Sequence, residues 1–280
     1  MFGRRKMGRT INIHKNKEEP VIVDFGDMKM MYKFGNAQHI GKRKIQEDCF
    51  GFSNITNSER ISQKGICAVL SDGMGGLSNG RYVSEYVVGS TLSLFDNLDY
   101  SINVHSQLEA IVCKINDQVC KSCSGGDESL AGATIAAVAV YKDKLFWVCV
   151  GDSRIYLLRR GYLYQLNEDH VYRNKLIKDY LGGHIKLNAA FNDEQKNSLT
   201  SYIGNPKMPF VDCNRVSFSL QKGDKVMLCS DGVYNSLSDY EMIKRLQEEP
   251  QHASEGIVHD ILNKKVLMQD NLTVMIINFT

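Results

Sequence analysis

The chain has 280 residues, 43% of them hydrophobic and 24% charged, with a formal net charge of +2. That is enough for one large domain or two small ones, with the composition of a soluble globular protein. Charges of both signs are mixed along the chain, which argues against a nucleic-acid binder, and no apolar stretch is long enough to span a bilayer.

Residues 1–27 read as a polar extension of mixed charge and weak periodicity. Its basic start, MFGRRKMGRT, lacks the apolar core of a signal peptide, so the expected compartment is the cytoplasm. A single domain is expected over residues 28–280. MKMMYKFGNAQHIG and EDCFGFSNI read as strands, and GICAVLSD as a more deeply buried one. Amphipathic helices are predicted over 78–98 and 106–123, the second with Leu108, Ile111, Val112, Ile115 and Val119 at helical spacing, and SGGDES as a loop. Then come strands in quick succession, ATIAAVAVY, KLFWVCVGD, RIYLLRRG and YLYQLN, with hairpin-like separators. Residues 171–205 read as helical turns within a long irregular insertion. VDCNRVSFSL and DKVMLCSD are predicted strands. Helices follow near 238–248 and 253–265, the first opened by Ser238 and Glu241 at capping-box spacing, and NLTVMIINF is the last strand. Without βαβ alternation, this order predicts an α+β sandwich of antiparallel sheets with helices on the outer faces.

Cys49, Cys67, Cys149 and Cys229 lie in apolar, strand-like runs and read as small buried hydrophobes of a reducing compartment. Cys120 and Cys123 form a lone CxxC on a helical pattern. No second CxxC or paired His follows, so a structural role outweighs a redox or zinc site.

The chemistry is carried by acids at strand ends. ICAVLSDG ends at Asp72, FWVCVGDS at Asp152 and KVMLCSDG at Asp231; Asp270 and Asn271 precede the last strand, and Glu47 and Asp48 open an early one. One such acid is most often a turn former. Five such sites on strands of one sandwich can meet in a single cleft, where carboxylates cannot all stay ionised without protons or cations. The donors are all oxygens, including the Gly73 carbonyl, and the histidines show no ligand spacing; hard oxygen donors select Mg²⁺ or Mn²⁺. Gly73 is expected to turn its carbonyl toward a metal, and Gly75 and Gly76 to clear space beside the cleft. Arg43, four residues before Glu47, is a candidate fork for phosphate oxygens.

GKRKIQEDCFGF, VLSDGMGGLSNGRYVSE, AGATIAAVAV, VGDSRIYLLRRGYLYQLNEDH, LCSDGVYNSL and QDNLTVMIINF come in order and at suitable spacing. Over residues 30–280 the chain resembles the type 2C, metal-dependent serine/threonine protein phosphatases (the PPM family) in their compact bacterial form. The resemblance implies a four-layer α-β-β-α sandwich of two antiparallel sheets flanked by helices. It also implies hydrolysis of phosphoserine and phosphothreonine in proteins by a water bridging two Mn²⁺ or Mg²⁺ ions, with no phosphoenzyme. By the same resemblance Asp72 bridges both metals, Asp231 and Asp270 complete one site, and the Gly73 carbonyl joins the other. Asp152 and Asp231 serve a third, weaker ion. Glu47 and Asp48, with Asn271, hold metal-coordinated waters, and Arg43 binds the substrate phosphate. The implied partners are phosphorylated proteins, including a serine/threonine kinase and its substrates, with neither nucleic acid nor membrane, and the implied state is a monomer. Gln46, Ala133, Val171 and the SYIG stretch at 201–204 depart from the family pattern, and Met74 stands where some members carry a histidine; none of these removes a metal ligand. The rival reading is a catalytically silent regulatory module on the same fold, which loss of a metal aspartate would have favoured.

Overall fold

The computed structural model describes residues 19–75, 79–123 and 131–280. The expected loop SGGDES, Gly76 and residues 1–18 lie outside the described residues, as does the side chain of Cys123.

Two antiparallel sheets stack face to face. The first runs β1 (Val21–Asp24), β2 (Lys29–His39), β14 (Leu272–Phe279), β13 (Lys225–Cys229), β9 (Arg154–Arg159), β10 (Tyr162–Gln165). The second runs β11 (Asp212–Cys213), β8 (Lys144–Val150), β7 (Ile135–Tyr141), β4 (Ile66–Ser71), β3 (Cys49–Phe52), with β12 (Phe218–Ser219) also on β8. A short ribbon joins β5 (Gly73–Met74) to β6 (Gly132–Ala133). Helices α2 (Asn79–Phe95) and α3 (Val104–Cys123) cover the second sheet; α7 (Asp239–Arg245) and α8 (Pro250–Asn263) cover the first.

Three apolar layers follow from period-2 alternation in strands buried on both faces. In β4, Ile66, Ala68 and Leu70 point between the sheets while Cys67 and Val69 meet α2 and α3. In β13, Val226 and Leu228 point between the sheets while Met227 and Cys229 meet Ile257 and Ile261 of α8. Such strands have no solvent-facing side, so polar groups first become affordable where they leave the layer, as at Asp72, Asp152 and Asp231.

The expected four-layer sandwich is therefore present, with four corrections. The sheet starts before Met28: Val21–Asp24 pairs with Lys29–Tyr32, and Val23 is fully buried, so residues assigned to the extension belong to the fold. VDCNRVSFSL is not one strand. The Asn214 side chain accepts from Trp147 N and donates to Leu145 O and Val216 O, replacing the ladder and splitting the segment into β11 and β12. Two short helices, α1 (Ser58–Lys64), capped by Asn57, and α6 (Asp231–Tyr234), were not legible as periodic runs. The insertion at 171–205 is more regular than expected, holding α4 (Tyr172–Leu181) and α5 (Leu187–Asn192). Its base is closed by a bridge between Val171 and Leu199. The predicted capping box of Ser238 and Glu241 is formed.

The middle of β2 lies against the start of α8. A Cβ at Gly35 would lie 2.1 Å from Pro250 O, and Gln251 both donates to and accepts from the Asn36 backbone. Gly35→Ala is expected to lower the unfolding free energy by about 1–3 kcal/mol through overpacking against backbone. Urea denaturation checks this; an unchanged midpoint would show that α8 can shift freely.

Candidate active site

One cleft of about 330 Å³ opens at the strand ends and is lined by Arg43, Glu47, Asp72, Gly73, Asp152, Asp231, Asp270 and Asn271, with Met74, Gly75, Thr134 and Leu199. All the acids predicted from sequence converge here except Asp48, which sits behind the wall, 5% exposed.

Each acid is set by its own local device. Asp72 leaves β4 held at both backbone groups by Thr134: its N–H donates to Thr134 Oγ1 at 2.9 Å and its carbonyl accepts from Thr134 N at 2.8 Å. Thr134 Oγ1 in turn lies 2.7 Å from Ser153 Oγ, which ties Asp72 to the loop of Asp152. Asp152 Oδ2 accepts from Tyr234 Oη at 3.4 Å. The Tyr234 ring stacks on the Arg154 guanidinium 3.6 Å away, and that guanidinium forks onto Asp169 and donates to Tyr156 Oη. Asp231 opens α6, where a helix N-terminus favours negative charge. Asp48 Oδ2 accepts from Thr273 Oγ1 at 2.6 Å and Ser230 Oγ at 2.8 Å. Asp270 Oδ2 accepts from Arg43 Nη2 at 2.6 Å, while the Arg43 side chain stays 58% exposed.

One expectation is revised and one residue gains a role. Gly73 is not in a left-handed conformation; it is glycine because a Cβ would lie 2.3 Å from Gly80 O, where β5 meets the start of α2. Gly75, at φ +134, is the residue that needs glycine's freedom. Asn271 lines the cleft and also has a structural task that the sequence reading did not foresee. Its Oδ1 accepts from Glu47 N, and its Nδ2 donates to Ile40 O and Ile45 O, so it clamps the loop bearing Arg43 and Glu47. Sequence reasoning missed Thr134, Ser153, Tyr234 and Asp169. They stand inside or beside the quoted motifs, but nothing in one linear chain couples 134 to 153 or 234 to 152.

Electrostatically the cleft is frustrated. Burial pushes the Asp231 carboxyl up to about 7, with Asp152 and Asp270 adding to it. Burial likewise lifts Asp48 to about 7, against the pull of its two hydroxyl donors, and Asp152 to about 6. Asp72 is driven well above the carboxylate range by burial and then by Asp48, Asp231, Asp152 and Asp270. Burial raises Glu47 too, opposed by Arg43. Glu47 Oε1 and Asp48 Oδ1 are buried without any hydrogen-bond partner. These are hard oxygen donors with uncompensated charge and orphaned lone pairs, which suits Mg²⁺ or Mn²⁺. They share the cleft without yet closing on one point: among the described residues, no three His, Cys, Asp or Glu side chains are gathered into a ready ion cage.

Fold and site together define a class, a four-layer α-β-β-α sandwich whose strand ends present oxygen donors to hard divalent cations. Residues 37–264 match the family described as protein phosphatase 2C, and the chain belongs to that family. It is 29% identical over 213 residues to the serine/threonine phosphatase stp of Listeria monocytogenes, covering 75% of this chain and 82% of that protein. Among solved structures, a serine/threonine phosphatase of S. agalactiae superposes with a TM-score of 0.76 at 26% identity, covering 88% of this chain and 99% of that one. The catalytic domain of the phosphatase PstP, solved in complex with two manganese ions, shares the fold with a TM-score of 0.70 at 23% identity, over 90% of this chain and 99% of that one.

The raised carboxyls fix the sign of a pH effect. Each binds its proton more tightly in the folded protein than in the unfolded chain, whose aspartates titrate near 4. The stability they contribute is complete below that value and is lost as pH rises to about 7, the folded value of Asp231. In EDTA, Asp231→Asn should therefore raise Tm at pH 8 and leave it nearly unchanged at pH 4. Calorimetric melts at the two pH values decide this; an equal shift at both would remove the electrostatic account.

Proposed function

We propose that this protein is a metal-dependent serine/threonine protein phosphatase, and that the carboxylate cleft is its active site. The observation that carries the reading is the convergence of Asp72, Asp152, Asp231 and Asp270 beside Arg43 in one cleft. Asp72, the Gly73 carbonyl, Asp231 and Asp270 would hold two divalent ions, and Asp152 with Asp231 a third, weaker one. Bound there, the ions supply Lewis acidity and acidify a coordinated water.

The chain's own residues do the rest. Arg43 has one nitrogen on Asp270 and most of its side chain open to solvent, so an incoming phosphate meets a guanidinium already at the cleft wall. Asn271 keeps that loop in register. Glu47 lines the cleft, where its carboxylate is suited to orient attacking water, and Asp48 stands behind it, held by the Ser230 and Thr273 hydroxyls. Such a site has no need of a protein nucleophile, and no phosphoenzyme is expected. The substrates are phosphorylated proteins, and the counterpart is a serine/threonine kinase of the same cell. The protein acts as a monomer in the cytoplasm. The silent-module reading is not favoured, because every expected metal aspartate is present.

Hydrolysis of p-nitrophenyl phosphate should require Mn²⁺ or Mg²⁺ and stop in EDTA. Asp72→Asn should reduce kcat by about 10²-fold or more. Arg43→Ala should lower kcat/KM on phosphopeptides by about 10-fold or more, the loss of a charge-assisted phosphate contact. A wild-type protein inert with all three substrates, phosphoserine peptide, phosphothreonine peptide and p-nitrophenyl phosphate, in either metal would restore the silent module.

A further inference from the structure

Between α8 and β14, two to four residues before the cleft residue Asp270, Val266, Leu267 and Met268 are 42%, 93% and 89% exposed. Single exposed apolar side chains are ordinary, but three in succession are a defect unless they serve a function. The backbone turns at Lys265, which has φ +52. The other end of the tip is rigidly based. Gln269 is buried; its carbonyl accepts from Lys42 N at 2.8 Å, its Nε2 donates to Gly232 O, and its Oε1 accepts from Ser236 Oγ. Gly41 packs so closely on this base that a Cβ there would lie 2.1 Å from Asp270 O. The tip is thus built onto the same support as the Arg43 loop and Asp270. A chain spans at most about 3.6 Å per residue, so the Leu267 Cα lies within about 11 Å of that of Asp270. That is the reach of three or four residues of an extended peptide whose phosphate sits at Arg43.

Charge adds direction. Lys42, Lys44 and Lys265 are exposed on the same two loops. Lys264, by contrast, is committed to Glu241 and the Ser236 carbonyl.

We propose that the 266–268 tip is a docking ledge for the phosphoprotein substrate. An apolar side chain two to four residues from the phosphoresidue packs on Leu267 and Met268, and acidic neighbours of that side chain meet Lys42, Lys44 and Lys265. This rests on the phosphatase reading above and specifies its substrate class. Methionine's flexible thioether suits a surface that accepts several apolar shapes. A phosphoprotein segment is favoured over a lipid surface because the tip shares its base with the phosphate-facing loop, so a peptide delivering its phosphate to Arg43 passes beside it.

The test uses the full chain with Mn²⁺ and a set of phosphothreonine peptides that differ only in carrying Leu, Ser, Asp or Lys at each position from four before to four after the phosphoresidue. Wild type should prefer Leu at one position by about 10-fold in kcat/KM, through KM, the scale of partly burying one such side chain. The double variant Leu267→Ser/Met268→Ser should lose that preference while keeping p-nitrophenyl phosphate turnover and Tm. Independently, Lys265→Glu should shift the neighbouring preference from Asp toward Lys. Wild type without any positional preference for Leu, or a double variant that keeps it, overturns the proposal. So does co-sedimentation with phosphatidylglycerol vesicles that the double variant abolishes while peptide preference is untouched, which would make the tip a lipid contact. Absence of Mn²⁺-dependent turnover of every peptide and of p-nitrophenyl phosphate is a different result: it overturns the phosphatase reading, and the ledge with it.

Discussion

The site exists because several buried strands have to end. β4, β8 and β13 are apolar on both faces, since each lies between the opposing sheet and a helical layer. Polar side chains are excluded from their length by desolvation and admitted where the layers stop. The sandwich aligns those ends, so the first or second residue after each strand arrives at one edge. There Asp72, Asp152 and Asp231 line one cleft with Asp270. Like charges in a partly dry cleft raise one another's proton affinity and leave oxygens without partners. The architecture thus creates the demand for hard cations before any substrate is considered.

The acids are held in this costly arrangement by neighbours that never face the cleft themselves or do so only in part. Asn271 commits both amide N–H bonds and one acceptor bond to the 40–47 loop that carries Arg43 and Glu47. Thr134 grips Asp72 through backbone and hydroxyl, and passes that grip to the Asp152 loop through Ser153. Behind them, Arg154 is neutralised by Asp169 and roofed by Tyr234, whose hydroxyl steadies Asp152. Glycines act here mainly as absences: at Gly73 and Gly232 a Cβ would strike backbone at 2.3 Å and 2.1 Å, so close packing, rather than a turn, accounts for both.

Above the cleft the structure becomes less tightly held. Helices α4 and α5 pack on each other above a base closed by the Val171–Leu199 bridge and tied to the sandwich where His170 N donates to Gly151 O, with Leu199 reaching the cleft wall. Leu181 and Phe191 on these helices are 76% and 64% exposed. An element secured at its base and carrying little buried surface opens at low free-energy cost. It reaches, through Leu199, a cleft whose floor is tightly bonded, which places adaptable surface beside fixed chemistry.

The layers, the long helices, the capping box at Ser238 and the identity of the cleft acids could all be read from the sequence. Each is a local pattern: alternation in DKVMLCSD, helical spacing from Leu108 to Val119, an acid where an apolar run stops. What the pattern could not contain was any pairing across distance. That Val21–Asp24 joins the sheet follows from an edge offered by β2, which is settled only when β2 has a place. Asn214 breaks a strand because Trp147 and Leu145 lie opposite it, and Asn271 serves a loop more than 220 positions away in the chain. By itself the sequence determined which residue types stand at which strand ends, because desolvation acts on each strand separately. Only the tertiary structure decided which groups touch, since hydrogen bonds and charge repulsion act over a few ångströms and depend on neighbours that packing alone supplies.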